Sequence, residues 1–231
     1  MKNSINTSII KAFVISLLLV SLTCRAELDV DNFVQFKISS LQLFTSFSAF
    51  VYFQGDNLNR TRLLNAMKRG GKAIAALPDS ELALKRKWKE ISDFVKLHQS
   101  QDFSGVDMSL EVVWNIHQRE INALMAESHT IEATGIANLQ IEMETILNQY
   151  MGYANSTTGG YSMSYGNVSL EEQIKTVESK LIELTQTDDK YQPLLKQWSY
   201  IQGTLSAYNS NVAPFVVLHT FDRIRKIVAS Y

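Results

Sequence analysis

The stretch VDNFVQFKISSLQLFTSFSAFVYFQ, residues 30–54, decides the fold. Phe33, Phe36, Phe44, Phe47 and Val51 fall on one stripe of a helix, and Val34, Ile38, Leu41 and Tyr52 fall on the stripe beside it. Leu43, Phe50 and Phe53 widen the apolar surface further. A helix that is apolar nearly all round belongs inside a bundle, as its central element. Its uncharged part, from Ile38 to Gln54, carries Ser39, Ser40, Gln42, Thr45, Ser46 and Ser48, which argues against a membrane span. The same phenylalanines allow a second reading, in which they line a cavity for an apolar ligand.

Apolar residues recur at helical spacing through most of the remaining chain. Gly55-Asp56-Asn57 is a turn, and a helix is predicted over 58–77 with Leu63, Leu64, Met67, Ile74 and Leu77, its middle weakened by Gly70-Gly71. Pro78-Asp79-Ser80 ends it and starts a third helix, with Leu84, Trp88, Ile91, Phe94 and Val95 inward. A long helical pattern over 108–151, broken near Thr134-Gly135, carries Val113, Ile116, Ile121, Leu124, Ile136, Leu139 and Met143. Ser169-Leu170-Glu171-Glu172 matches a capping box, opening a helix with Ile174, Val177, Leu181 and Leu184 inward. Pro193 and Pro214 sit in the first turns of two last helices, the second carrying Phe215, Leu218, Phe221, Ile224, Ile227 and Val228.

The expected fold is therefore all-α, one antiparallel bundle of about six or seven helices built from helical hairpins. Residues 56–99 and 169–208 can be aligned as a weak pseudo-repeat, each a helix, a polar turn and a helix with a tryptophan, Trp88 or Trp198, on its inner face. Any two helical hairpins align to some degree, and chance resemblance of pattern is the alternative reading.

The N-terminus reads as an export signal. Lys2 and Lys11 precede the apolar run Ala12–Val20, and Cys24-Arg25-Ala26 ends on a small residue, so cleavage is expected after Ala26, leaving residues 27–231 as the mature domain. An uncleaved anchor and lipidation of Cys24 are the alternatives, although Ser21-Leu22-Thr23 is a poor approach to a lipidated cysteine. Cys24 is the single cysteine, so a mature chain has neither disulfide nor thiolate site and depends on its core. The expected location is a bacterial periplasm, where the sequons at Asn59, Asn155 and Asn167 carry no meaning.

The chain holds 22 basic and 23 acidic residues, and removal of Lys2, Lys11 and Arg25 with the signal leaves a net charge of −4. No basic footprint for nucleic acid is present. His98, His117, His129 and His219 form no H-x-x-x-H pair, and none has Glu three residues before it, as a di-iron bundle would require. His117 and Glu120 share a helix face, a spacing more typical of a surface contact than of a metal site. Ser162-Met163-Ser164-Tyr165-Gly166 approaches G-x-S-x-G but lacks its first glycine and follows a helix. Gly70-Gly71-Lys72 lacks the spacing of a phosphate loop. Glu142 and Glu144, two apart on a helix, face different ways. No catalytic residue, metal or cofactor is expected.

Residues 152–168 break the helical pattern with an uncharged Gly/Tyr/Ser/Asn composition. They read either as a connector or as a recognition loop, with Tyr153, Tyr161, Met163 and Tyr165 as anchors for a partner. A periplasmic bundle of hairpins resembles, in architecture only, the sensor domains of bacterial chemoreceptors and histidine kinases, and no signature residue of such a family can be quoted. The leading expectation is a non-enzymatic periplasmic binding or accessory protein that docks to an envelope protein partner in a sensor, secretion, pilus or immunity-type role. A carrier of an apolar ligand, or an enzyme with a site assembled from distant helices, is the alternative. No nucleic-acid partner and no membrane span after cleavage are expected.

Overall fold

The computed structural model describes residues 31–101, 108–128, 133, 135–155 and 169–231, so the stretch read as an export signal and most of the uncharged segment lie outside the described residues. Among the described residues the chain is all-helical, with eight α-helices packed together. They are α1 (31–52), α2 (Asn57–Ala76), α3 (Leu82–His98), α4 (Met108–Ser128), α5 (Gly135–Asn155), α6 (Leu170–Thr187), α7 (Gln192–Ser206) and α8 (Pro214–Val228). A 3-10 turn, Asp189–Tyr191, leads into α7. The helix count exceeds the expected six or seven because the pattern over 108–151 forms two elements, α4 and α5, and Gly135 opens the second in the left-handed region at φ 56°.

Helix starts follow local chemistry. The Asp56 carboxylate caps α2 by accepting from the Asn59 N–H at 2.7 Å. At α6 both halves of the capping box form: Ser169 Oγ accepts from Glu172 N–H at 3.2 Å, and Glu172 Oε2 accepts from Ser169 N–H at 3.1 Å.

Helix α1 is the central element. From Phe36 to Val51 every residue except Lys37 and Ser48 is buried. Phe33, Phe36, Phe44, Phe47 and Phe50 share one core with α2, α3 and α4. Ala49, Tyr52 and Phe53 join a second core made by α5, α6, α7 and α8, and Val34, Ile38 and Leu41 meet Ile141 of α5. Each buried phenylalanine contributes about 1.5–3 kcal/mol of transfer free energy, so this helix holds both halves to itself.

The centre of the first core is Trp114 of α4. Its ring lies 4.7 Å from Phe44, 4.2 Å from Phe47 and 5.6 Å from Phe94. Its indole N–H donates to the Phe44 carbonyl at 3.3 Å. The gap lined by Phe47, Val51 and Trp114 amounts to about 10 Å³, no more than one water. The phenylalanines therefore pack against rings and do not frame a ligand chamber at this place.

Not every apolar position of these helices faces the core. Val113 and Ile116 are exposed, and the inward stripe of α4 is Leu110, Trp114, Ile121 and Met125. Phe215 is 58% exposed and stacks on His219, while Val217 takes the inward place on α8. The glycine pair does not interrupt α2. Gly70 is buried under the Trp88 ring, and a Cβ there would lie 2.1 Å from Trp88 Cη2. Trp88 also meets Phe36 edge-on at 5.7 Å, whereas Trp198 meets Phe221 at 6.4 Å and its neighbour α6 contains no glycine.

Candidate functional site

The polar residues of α1 prepare the site. Gln42, Thr45 and Ser48 follow one another at i, i+3 and i+6, which brings them along one side of the helix. They meet a matching row on α5. Gln42 Nε2 donates to Glu144 Oε1 at 2.8 Å, Asn148 Nδ2 donates to Thr45 Oγ1 at 3.4 Å, and Asn155 Nδ2 donates to the Ser48 carbonyl at 2.8 Å. Gln118 of α4 donates to Asn148 Oδ1 at 2.7 Å, tying a third helix to the seam. Buried polar groups must be satisfied or they cost stability, and this seam pairs most of those it buries, with Asn155 Oδ1 left without a partner among the described residues.

Glu144 is 1% exposed, and its charge is met by Arg225 of α8. Arg225 Nε donates to Oε1 and Nη2 donates to Oε2, each at 2.7 Å. That fork on a carboxylate is the strongest common side-chain pairing. Burial alone lowers the Arg225 pKa, but the Glu144 charge and hydrogen bonds, aided by Asp222, outweigh it and raise the value. Asp222 in turn accepts from Arg225 Nη1 at 3.3 Å and from Arg62 Nη2 at 2.7 Å. Arg62 continues to Asn59 Oδ1 at 2.9 Å, and Asn59 to the cap residue Asp56.

Above this network opens a cleft of about 440 Å³ between α1, α2, α5 and α8. Ser39, Gln42, Arg62, Arg69, Asp222 and Arg225 are among its lining residues, with Lys226 at its edge on α8. Small-molecule sites commonly occupy about 300–1,000 Å³. Arg69 Nε donates to Gln42 Oε1 at 3.1 Å, so Gln42 is held from both sides, by Arg69 and by Glu144. Burial, and then the charge of Arg225, lower the Arg69 pKa, with Glu144 and Asp222 opposing.

Of the residues singled out in the uncharged segment, Tyr153 alone lies among the described residues. Helix α5 runs on to Asn155, so Tyr153 is helical, and its ring packs on Tyr208 at 4.5 Å beside the second core. Helical pairing overrides the loop composition at 152–155. Tyr161, Met163 and Tyr165 lie outside the described residues. Glu142 and Glu144 do face different ways, toward Lys180 and Arg225 respectively. Glu120 pairs with Lys87 and not with His117, whose ring stands edge-on to Phe94 at 5.3 Å. The sequons at Asn59 and Asn155 are buried and hydrogen-bonded, and Asn167 is outside the described residues.

Among the described residues, no three His, Cys, Asp or Glu side chains converge to hold a metal ion, and no helix is long and apolar enough to cross a membrane. Sequence reasoning missed the arginine network. Its one signal is Glu144, a charge set close to Ile141, Met143, Ile146 and Leu147, which demands a cationic partner once that face is buried. The chain matches no family model, no curated protein and no solved structure.

Proposed function

We propose that the mature chain is a non-enzymatic binding and accessory protein of the bacterial periplasm. In this reading it is an antiparallel bundle of helical hairpins that holds a small polar ligand in the cleft between α1, α2, α5 and α8. Docking to an envelope partner completes the role. The observation that carries the reading is the cleft itself, about 440 Å³ of open volume above a braced and buried ion pair. Rigid support beneath an open polar surface is what a binding site needs.

The absence of catalysis is supported by how the acids are used. Both oxygens of Glu144 accept from Arg225, and each oxygen of Asp222 accepts from an arginine. A general acid or base must exchange its proton with substrate, and these carboxylates are engaged elsewhere. The apolar-carrier alternative has less support, because the α1 phenylalanines pack ring to ring with Trp114 and Phe94. The periplasmic location rests on the tripartite N-terminus, and an exported chain beginning at Glu27 by intact mass would support it.

The binding element is tested by saturation-transfer NMR on a small-molecule extract of periplasm. The mature chain should give ligand signals, and Gln35→Trp, which fills the cleft from an exposed position, should abolish them. Absence of signals with the native chain, or signals that survive the tryptophan, would overturn the reading.

A further inference from the structure

The cleft is cationic in a chain that is not. Arg62, Arg69, Arg225 and Lys226 line it, against the carboxylates of Asp222 on its wall and Glu144 beneath, an excess of two positive charges. The whole chain carries 22 basic and 23 acidic residues. The excess is not shared evenly. Arg225 is spent on Glu144 and Asp222, and Arg62 on Asp222 and Asn59. Arg69 has one bond, from Nε to Gln42, and neither Arg69 nor Lys226 meets a carboxylate among the described residues.

The orientation of Arg69 is set from below. Gln42 donates to Glu144 at 2.8 Å, which leaves its Oε1 to receive Arg69 Nε at 3.1 Å. Use of Nε closes the side-on face of the guanidinium. What remains is the end-on pair, Nη1 and Nη2, with four N–H groups. That pair matches the two oxygens of a carboxylate or phosphate. Arg225 repels Arg69, and an arriving anion would relieve that repulsion.

We infer that the cleft recognises a small organic oxyanion, a carboxylate or a phosphate, seated end-on across Arg69 Nη1 and Nη2 with Lys226 as the second cation. Gln35, Asn65 and Gln140 of the lining supply uncharged donors and acceptors for a hydroxylated remainder of the ligand. The inference rests on the cleft being the binding element and adds the chemistry it selects.

The test is calorimetric titration of the mature chain at fixed ionic strength with D-glucuronate, citrate, glucose 6-phosphate, inorganic phosphate and neutral glucose as probes. At least one anion should bind, with glucose tenfold or more weaker, as expected for about one charge-assisted pair of hydrogen bonds. Binding by the carboxylates alone or by the phosphates alone would support the inference and name the source; binding by both would support it in general form. Arg69→Gln should weaken the anion by about tenfold or more, and Arg69→Lys, which keeps the charge but not the fork, should recover part of the loss. Lys68→Gln, on an exposed position of the same helix outside the cleft, should leave binding unchanged. Glucose binding as tightly as the anions, silence of every anion, or equal losses in Arg69→Gln and Lys68→Gln would overturn the inference. Extract signals that Gln35→Trp removes would still stand in each of those cases, so the two readings fail separately.

Discussion

Arg225 closes on Glu144 with two hydrogen bonds of 2.7 Å, joining the last helix to α5 at a point where Glu144 is out of contact with water. Desolvation of both ions offsets much of their attraction, so the pair is weak as net stabilisation and strong as a constraint. Removing Arg225 leaves Glu144 buried without its cation, whereas Arg225 borders the cleft and keeps Asp222 when Glu144 is removed. Arg225→Met alone is expected to cost roughly 3–5 kcal/mol in urea unfolding, and Glu144→Leu alone less. The double variant should cost less than the sum of the two, because neither charge is then orphaned. Strict additivity would show that the two side chains do not act as a pair.

Adjacent glycines in α2 are expected to respond with opposite signs. A methyl at Gly70 would meet Trp88 Cη2 at 2.1 Å and Cζ2 at 2.5 Å, whereas a methyl at Gly71 meets open space. Gly70→Ala should destabilise by about 1–3 kcal/mol through overpacking. Gly71→Ala should stabilise by up to about 1 kcal/mol through helix propensity. Trp88→Phe in the Gly70→Ala background should recover part of the loss if the ring contact is its cause. Thermal melts of the four chains decide the matter, and equal effects at 70 and 71 would refute the packing account.

The bundle was legible in the sequence because its central helix is apolar almost all round, and because Asp56, Ser169, Pro193 and Pro214 mark helix starts by local chemistry. The inward face of α4 was not. Val113 and Ile116 are apolar by type, yet Leu110, Trp114, Ile121 and Met125 make a stripe at i, i+4, i+11 and i+15 that also fits a helix face. Two competing stripes on one helix can be resolved only by what it packs against, here Phe44, Phe47 and Phe94. The cleft was hidden for a related reason. Arg62, Arg69, Glu144 and Arg225 come from three helices spread over 164 positions, and charges on separate amphipathic helices look like ordinary solvated faces until tertiary packing brings them together. Trp114→Ala is accordingly expected to cost about 3–5 kcal/mol, as much as Trp198→Ala. A smaller loss at 114 than at an exposed apolar residue such as Val113 would contradict its place at the centre of the core.

Tyr153 is expected to act through stability. Its ring lies 4.5 Å from that of Tyr208, across from α5 to the end of α7. Such a pair is worth about 0.5–1.5 kcal/mol beyond area burial. Tyr153→Ala and Tyr208→Ala should each lower the melting temperature, and the double variant should fall short of their sum. Loss of ligand or partner binding in Tyr153→Ala with an unchanged melting temperature would instead make it a recognition residue.

The last expectation concerns acid. The His117 ring is half-buried against Phe94, and its Nδ1 is buried with no hydrogen-bond partner among the described residues. Burial first, and the Lys87 charge second, hold its pKa below the ordinary value, against the opposing charges of Glu120 and Glu90. The native chain therefore resists a proton that the unfolded chain accepts at about pH 6.5. Its contribution is intact above that value and is lost as pH falls through the depressed one. Glu111 on the same helix has the opposite sign: burial raises its carboxyl pKa, so the native state gains a proton early and its contribution grows as pH falls. Melting temperatures of the native chain, His117→Phe and Glu111→Gln at about pH 7 and about pH 5.5 separate the two. His117→Phe should lose less stability than the native chain over that interval, because the titrating ring is gone and an apolar ring remains against Phe94. Glu111→Gln should lose more, since the compensating proton uptake is removed. A native chain and a His117→Phe variant with the same pH dependence would show that His117 takes its proton equally well in both states.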